Sequence, residues 1–340
     1  MADALSASFT HTYAGKESIR EIFYQPEENV PTVESMYRIM DVVDKKNVYI
    51  AQDLRKILRV YSTCGFTAAG GVFTLTDKTI STEKVKVNMS HCVDQWVDTI
   101  FAEEMRTGVD VDNMQGTVID TVLKNQLFKG IRSDIHRIVW FATAADADAD
   151  WTHFDGFIQL FLDSSATIGA SCFVDSDGTS FETSDALATD GSLGLLKQLY
   201  AAMSKALRMM NDKQFYVTYT VYDNLMDTYE DTQSGVGLLR LIDGTTQLSF
   251  RGIPVVPVPE WDINLADSTN PHYTGSGLSI GSNLIVLTTP QNLIVGTDVS
   301  SPSNEFKFRY NDDDSELLKI ISKFNLGAQF VHPELICVAY

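Results

Sequence analysis

Basic residues are what this 340-residue chain has too few of: 26 lysines and arginines stand against 45 aspartates and glutamates, a formal net charge of −19. Neutralising phosphates takes Lys and Arg to displace counterions, so a surface of this sign repels nucleic acid at long range and argues against a direct nucleic-acid reader. The same acidity supplies solubility. Cysteine is scarce as well. Cys64, Cys92, Cys172 and Cys337 are scattered without C-x-x-C spacing, which excludes a sequence-defined zinc site or disulfide framework and predicts reduced thiols. No run approaches the roughly 20 apolar residues that span a bilayer. The opening MADALSASFTHTYAGKES has neither the basic start nor the apolar stretch of an export signal, so no signal peptide, anchor or membrane partner is expected.

Catalytic and cofactor signatures are equally thin. The six histidines fall in no H-E-x-x-H or Cys/His pattern, and Gly275, Gly277 and Gly281 do not make G-x-G-x-x-G. No P-loop occurs, so neither metal, cofactor nor nucleotide is predicted. Gly277-Leu278-Ser279-Ile280-Gly281 matches a nucleophile elbow, with Asp298 and His332 following in hydrolase order. Its context fails, because an elbow needs a strand before the serine and a helix after it. Ser279 instead follows a Pro271/Gly275 turn region and precedes a strand-like run, Leu284 to Leu287. Asp146, Asp148 and Asp150 resemble the start of a calcium loop, but Trp151 stands where glycine is required and Phe157 where a bidentate glutamate is required. These aspartates, and the looser set Asp175, Asp177 and Glu182, read as solvated acidic loops.

What is present is a chain that is 44% hydrophobic, enough to bury roughly three quarters of its unfolded surface in one large or two smaller domains. Near the N-terminus, Val33, Met36, Tyr37 and Met40 fit one face of a short helix capped by Thr32, and Leu54, Ile57, Leu58 and Tyr61 fit a second. Helices this short must cover their stripes against something else. Phe73 and Leu75, then Val85, Val87 and Met89 with Lys84, Lys86 and Asn88 opposite, read as the two strands of a long hairpin. A lone two-stranded ribbon is marginal in water, so it is expected to lie on another surface.

From Asn113 a helical stripe runs for about thirty residues through Ile119, Leu123, Leu127, Ile131, Ile135, Ile138 and Ala142, widened by Val122 and Val139, with Gly130 as a possible bend. Residues 154–162 read as strand or partly helix, and Asp175 to Ser192 as a loop or domain crossing. A helix through Leu196, Leu199, Met203, Leu207 and Met210 follows, then a strand from Phe215 to Val221 and a helix from Tyr222 to Glu230. The prolines of Gly252 to Pro259 confine that extended stretch to an edge or crossover. Strands Leu284 to Leu287 and Leu293 to Gly296 flank Pro290, and Leu318 to Val331 alternates as one long strand. The class is α+β, without the βαβ rhythm of a dinucleotide fold.

This order of elements resembles the tailed-phage major capsid protein of the Hong Kong 97 type, whose fold bacterial encapsulins share. The resemblance is most specific at Phe215-Tyr216-Val217 leading to Tyr222-Asp223, at Gly252-Ile253-Pro254-Val255-Val256, at Asn292-Leu293-Ile294-Val295-Gly296 and at the closing strand into Pro333-Glu334-Leu335. It implies an N-terminal arm over 1–62, an extended hairpin loop over 63–90, and a peripheral domain over 91–185 with a spine helix at about 114–142. An axial domain over 186–304 and a return strand of the peripheral domain with the C-terminus over 305–340 complete it. The implied function is structural, not enzymatic: self-assembly as pentamers and hexamers into the icosahedral head of a tailed bacteriophage, put together in the host cytoplasm. Double-stranded DNA would be enclosed without sequence-specific binding, which an acidic chain suits. Portal, scaffolding and head-decoration proteins are the implied partners, with any scaffold a separate protein. An encapsulin-like nanocompartment is the alternative and a Ser279 hydrolase the distant third. Some members of the family join a loop lysine to a neighbour's asparagine; Lys78, Lys84 and Lys86 lie on the matching element, where solvated charge is the plainer reading.

Overall fold

A computed structural model of the chain describes residues 10–13, 36–51, 75–92, 118–169, 172–174, 187, 190–231, 248–272, 283–298, 305–311 and 317–339. Its strands are β1 (Thr10–Tyr13), β2 (Arg38–Asp41), β3 (Lys45–Ala51), β4 (Leu75–Ser81), β5 (Glu83–Cys92), β6 (Phe173–Val174), β7 (Gln214–Val217), β8 (Ser249–Phe250), β9 (Ile253–Pro257), β10 (Ile285–Thr288), β11 (Leu293–Thr297), β12 (Glu305–Asn311), β13 (Leu317–Phe330) and β14 (Cys337–Ala339). The helices are α1 (Val118–Phe141), α2 (Phe157–Asp163), α3 (Ser165–Ile168), α4 (Gly191–Ala202), α5 (Lys205–Met209), α6 (Tyr219–Asp231) and α7 (Pro259–Leu265).

Two six-stranded sheets carry the fold. The first runs β1-β12-β13-β11-β2, with β5 on the other edge of β13; the second runs β6-β14-β10-β7-β9-β8. The alternation over Leu318 to Val331 is the single 14-residue strand β13, long enough to hold β12 and then β11 on one side while β5 pairs along the other. Strand β10 is buried at all four positions, which is why it reads as a continuous apolar run and not as an alternating one. Among the described residues, the proline-bearing β9 lies next to the sheet edge, paired on its outer side with two-residue β8. A tight turn joins these two through Arg251 and Gly252, both at positive φ, 51° and 80°.

The long helix α1 has 24 residues, or roughly 36 Å of axis at 1.5 Å each. Leu127, Ile131, Ile135, Ile138, Val139 and Ala142 of its stripe are buried, and the helix runs unbroken through Gly130. At its C-terminal end Trp140 stacks edge-on against Trp261 of α7 and Phe157 of α2, with ring centroids 4.7 and 5.0 Å apart. Phe161 of α2 then meets Phe330 of β13 at 5.8 Å. This aromatic chain makes the core continuous across both sheets.

The two sheets exchange strands at one place. β10 passes to β11 through a single 3₁₀ turn at Pro290–Asn292, and β13 passes to β14 through another at Pro333–Leu335. Asn292 clasps the two crossings together. Its Nδ2 donates to the His332 carbonyl at 2.9 Å, its Oδ1 accepts from His332 N at 2.7 Å, and its own carbonyl accepts from Val331 N at 3.1 Å.

Several expectations need correction. The helix expected to run from Thr32 to Met40 does not reach Met40: Met36 is helical, but Arg38–Asp41 is strand β2, parallel to β11, and Met36 and Tyr37 are buried in the chain's own core. Pairing with a ready sheet edge outweighed a weak helical pattern. So Met36 and Tyr37 of the expected arm are covered without a second copy, whereas Val43 stays exposed. The segments read as one hairpin over 63–90 do form strands β4 and β5, with only Thr82 between them, but they do not pair with each other. β4 pairs with β3, and β5 pairs with β13. The strand expected over Phe215 to Val221 stops at Val217, because α6 begins at Tyr219. The helix expected through Met210 breaks at Met203; Ser204 recaps it by accepting from Leu207 N at 3.0 Å, leaving Met210 exposed. The second short helix, Leu54 to Tyr61, lies outside the described residues.

Candidate assembly site at the root of a ribbon

The antiparallel pair β3/β4 is a separate two-stranded ribbon, in register from Lys45 opposite Ser81 to Ala51 opposite Leu75. Ile80 is the buried exception among its described side chains, packing with Val42, Ile294 and Val331. The rest of the described ribbon presents polar or half-covered groups, including a Thr79 hydroxyl that donates to Asn47 Oδ1 at 3.0 Å.

What holds the ribbon is its root. Val42 N donates to the Thr297 carbonyl at 3.0 Å, Thr82 N to the Asp44 carbonyl at 2.9 Å, and Asn325 Nδ2 to the Val43 carbonyl at 2.7 Å. Gln329 Nε2 reaches the Thr79 carbonyl at 3.3 Å, and the Lys78 ammonium sits 4.7 Å from the centre of the Phe330 ring. Beneath this root, Gly296 of β11 lies directly opposite Gly327 of β13. A Cβ on Gly327 would overlap the Ser81 carbonyl oxygen, and one on Gly296 would come within 3.0 Å of Thr82 Cγ2. The two glycines form a saddle that lets the backbone at residues 81–82 lie flat on the sheet. The ribbon therefore leaves the body at a fixed angle.

The three lysines fall on two elements. Lys78 is on the ribbon, held over Phe330, whereas Lys84 and Lys86 are exposed on β5, opposite Asn325 and Lys323. Ser279, Gly275, Gly277, Asp175, Asp177, Glu182 and Cys64 lie outside the described residues. After Ser279 the chain enters strand β10, not the helix an elbow needs. The other two hydrolase positions are engaged elsewhere: Asp298 is buried and accepts from Asn325 Nδ2 at 3.4 Å, and His332 Nδ1 faces Glu334 Oε1 at 3.0 Å. In the acidic loop, Asp146 and Asp148 turn their carboxylates back onto the amides of Asp148 and Asp150, at 2.8 and 3.0 Å. Among the described residues no group of three His, Cys, Asp or Glu is arranged to hold a metal ion, and no helix is long and apolar enough to cross a membrane.

Sequence reasoning missed a buried polar cluster where three elements meet. Tyr37 precedes β2, Arg132 and His136 are on α1, and Glu260 is on α7, all buried. His136 Nδ1 lies 3.5 Å from Glu260 Oε2, in contact but without hydrogen-bond geometry. Burial and then the Arg132 charge push the His136 pKa down to about 4, so the imidazole is neutral at pH 7. The available signal was Arg132 and His136, four residues apart, directly following the core positions Ile131 and Ile135.

Solved structures share this architecture over nearly its whole length. A chain from Mycobacterium phage Ogopogo is 12% identical with a TM-score of 0.53, covering 93% of each chain. One from Gordonia phage Cozz is 10% identical at 0.53, covering 94% of this chain and 89% of that one. A chain of the satellite phage P4 procapsid, solved with its size determination (Sid) protein, is 11% identical at 0.52, covering 90% and 85%. No protein-family model and no curated protein matches the sequence. The fold is thus a mixed helix and sheet architecture found in phage structures, a procapsid among them.

Proposed function

We propose that this chain is a phage major capsid protein of the Hong Kong 97 type. Copies of it would assemble as pentamers and hexamers into an icosahedral head around double-stranded DNA. The observation that carries the reading is the near full-length likeness to a procapsid chain. A ribbon that, among the described residues, is anchored at its root supports it, since such an element gains most by lying on a neighbouring copy. In this reading β3/β4 is the extended loop, the segment ahead of β3 is the arm, α1 with the β13 sheet is the peripheral domain, and the β10 sheet is the axial domain. Portal, scaffolding and decoration proteins are proposed partners, with assembly in the host cytoplasm. The net charge of −19 suits a wall that must enclose DNA without gripping it.

Electron microscopy of the purified protein tests this. Closed shells of uniform size are expected, holding DNA when taken from infected cells. Shells filled with protein cargo would move the assignment to an encapsulin-like compartment, and a monomer at every concentration and ionic strength would overturn it. A fluorophosphonate probe is expected to leave Ser279 unlabelled.

A further inference from the structure

The buried sheet brings together two cysteines that lie far apart in the chain. β14 and β6 run parallel, with Val338 beside Phe173 and Ala339 beside Val174. Cys337 is one step back along β14, and Cys172 is the 3₁₀-turn residue immediately before β6, so the pairing brings the two cysteines together where the strands begin. The thiols are hydrogen-bonded to each other, and Cys172 Sγ also donates to the Ala202 carbonyl at 3.5 Å. Both residues stand as thiols and both are buried, Cys172 at 6% exposure and Cys337 at 0%. The two sulfurs already face each other in that contact, the arrangement from which a disulfide, bridging Cα atoms roughly 4.4 to 6.8 Å apart, closes.

We propose that Cys172 and Cys337 form an oxidisable pair, which a peroxide closes into a disulfide that ties the C-terminal strand to the edge of its sheet. The Cys172 sulfur attacks one peroxide oxygen as its thiol proton leaves; the O–O bond breaks, the distal oxygen takes that proton and departs as water, and Cys172 becomes a sulfenic acid. The Cys337 sulfur then attacks the Cys172 sulfur. The S–S bond forms as the S–O bond breaks, and the departing hydroxide takes the Cys337 proton away as water. Two electrons pass from the two thiols to the peroxide. The order follows from position. Cys172 adjoins edge strand β6, whereas Cys337 lies inside the sheet, its thiol held protonated by the hydrogen bond with Cys172 and by burial. Burial makes the pair slow toward large reagents and leaves small oxidants as the ones that reach it.

The test treats the folded protein with dilute hydrogen peroxide, then unfolds it, blocks remaining thiols with N-ethylmaleimide and maps the unreduced peptides by mass spectrometry. A cross-linked peptide joining Cys172 to Cys337 is expected, two hydrogens lighter than the separate pair. With it the melting temperature should rise on the order of 5 °C, reversibly with dithiothreitol. Cys337→Ala should stop at a Cys172 sulfenic acid that dimedone captures, and Cys172→Ala should leave Cys337 unoxidised. The proposal is overturned if both thiols are fully blocked after peroxide while other thiols have reacted, or if Cys172 or Cys337 links to Cys64, Cys92 or another chain instead. The mapping runs on the unaltered protein, so poor folding of a variant does not blunt it, and its outcome is independent of whether the protein forms shells.

Discussion

The four residues of β10 are all buried, whereas in the β3/β4 ribbon only Ile80 is buried among the described side chains. The two regions have similar backbone geometry and opposite sources of order. β10 is held by its surroundings on both faces and by strands on both edges, so its stability comes from burial. The ribbon is held at one end by a few hydrogen bonds and two missing Cβ atoms, so its position comes from geometry. A perturbation that costs one region free energy should therefore leave the other nearly untouched.

The largest separation is expected on acidification. Burial lowers the pKa of both His136 and His272 to about 4, with Arg132 adding to the effect at His136, and Asp146 and a Phe141 backbone bond opposing it at His272. A folded-state pKa below the unfolded value means the unfolded chain binds the extra proton. Stability is then full above about pH 6.5 and lost as the pH falls toward 4, by roughly 3 kcal/mol for each histidine. Urea unfolding at pH 7, 5.5 and 4.5 measures it; H136N should remove about half of the slope, and an unchanged slope would dismiss the buried cluster as its source.

Gly327→Ala is the converse experiment. The added methyl meets backbone that cannot rotate away, so a loss of about 3 kcal/mol is expected from the overlap. Hydrogen exchange should rise at residues 42–48 and 77–82 while β10 keeps its protection. Equal loosening of both regions would show that the saddle is not local. Asn292→Ala strips the partners from buried backbone groups at the strand crossings and should cost on the order of 2 kcal/mol in thermal unfolding. Smallest, and of opposite sign, Gly130→Ala in the middle of α1 meets no atom within 4 Å and should stabilise by about 0.5 to 1 kcal/mol. If it destabilises, Gly130 serves a contact beyond this chain.

The comparison also explains what was legible in the sequence. Where burial decides the structure, the pattern is written in the residues themselves: the stripe of α1, the apolar run of β10 and the alternation of β13 were all readable. Where pairing decides it, the pattern gives a strand but not its neighbour. Lys84 to Asn88 alternates whether β5 lies on β4 or on β13, and only the tertiary fold chooses β13. Met40 fits a helical period that the edge of β11 overrode. Gly296 and Gly327 carry no hint of facing each other across 31 positions of sequence. The cluster of Tyr37, His136 and Glu260, and the pairing of Cys172 with Cys337, are products of the same long-range placement.

β4 runs into β5 through Thr82 alone. With no slack at that junction, tension on β4 passes directly to β5 and its ten paired positions against β13. A load on the ribbon is thus borne by the longest strand pairing in the molecule's described residues and not by a loop that could stretch.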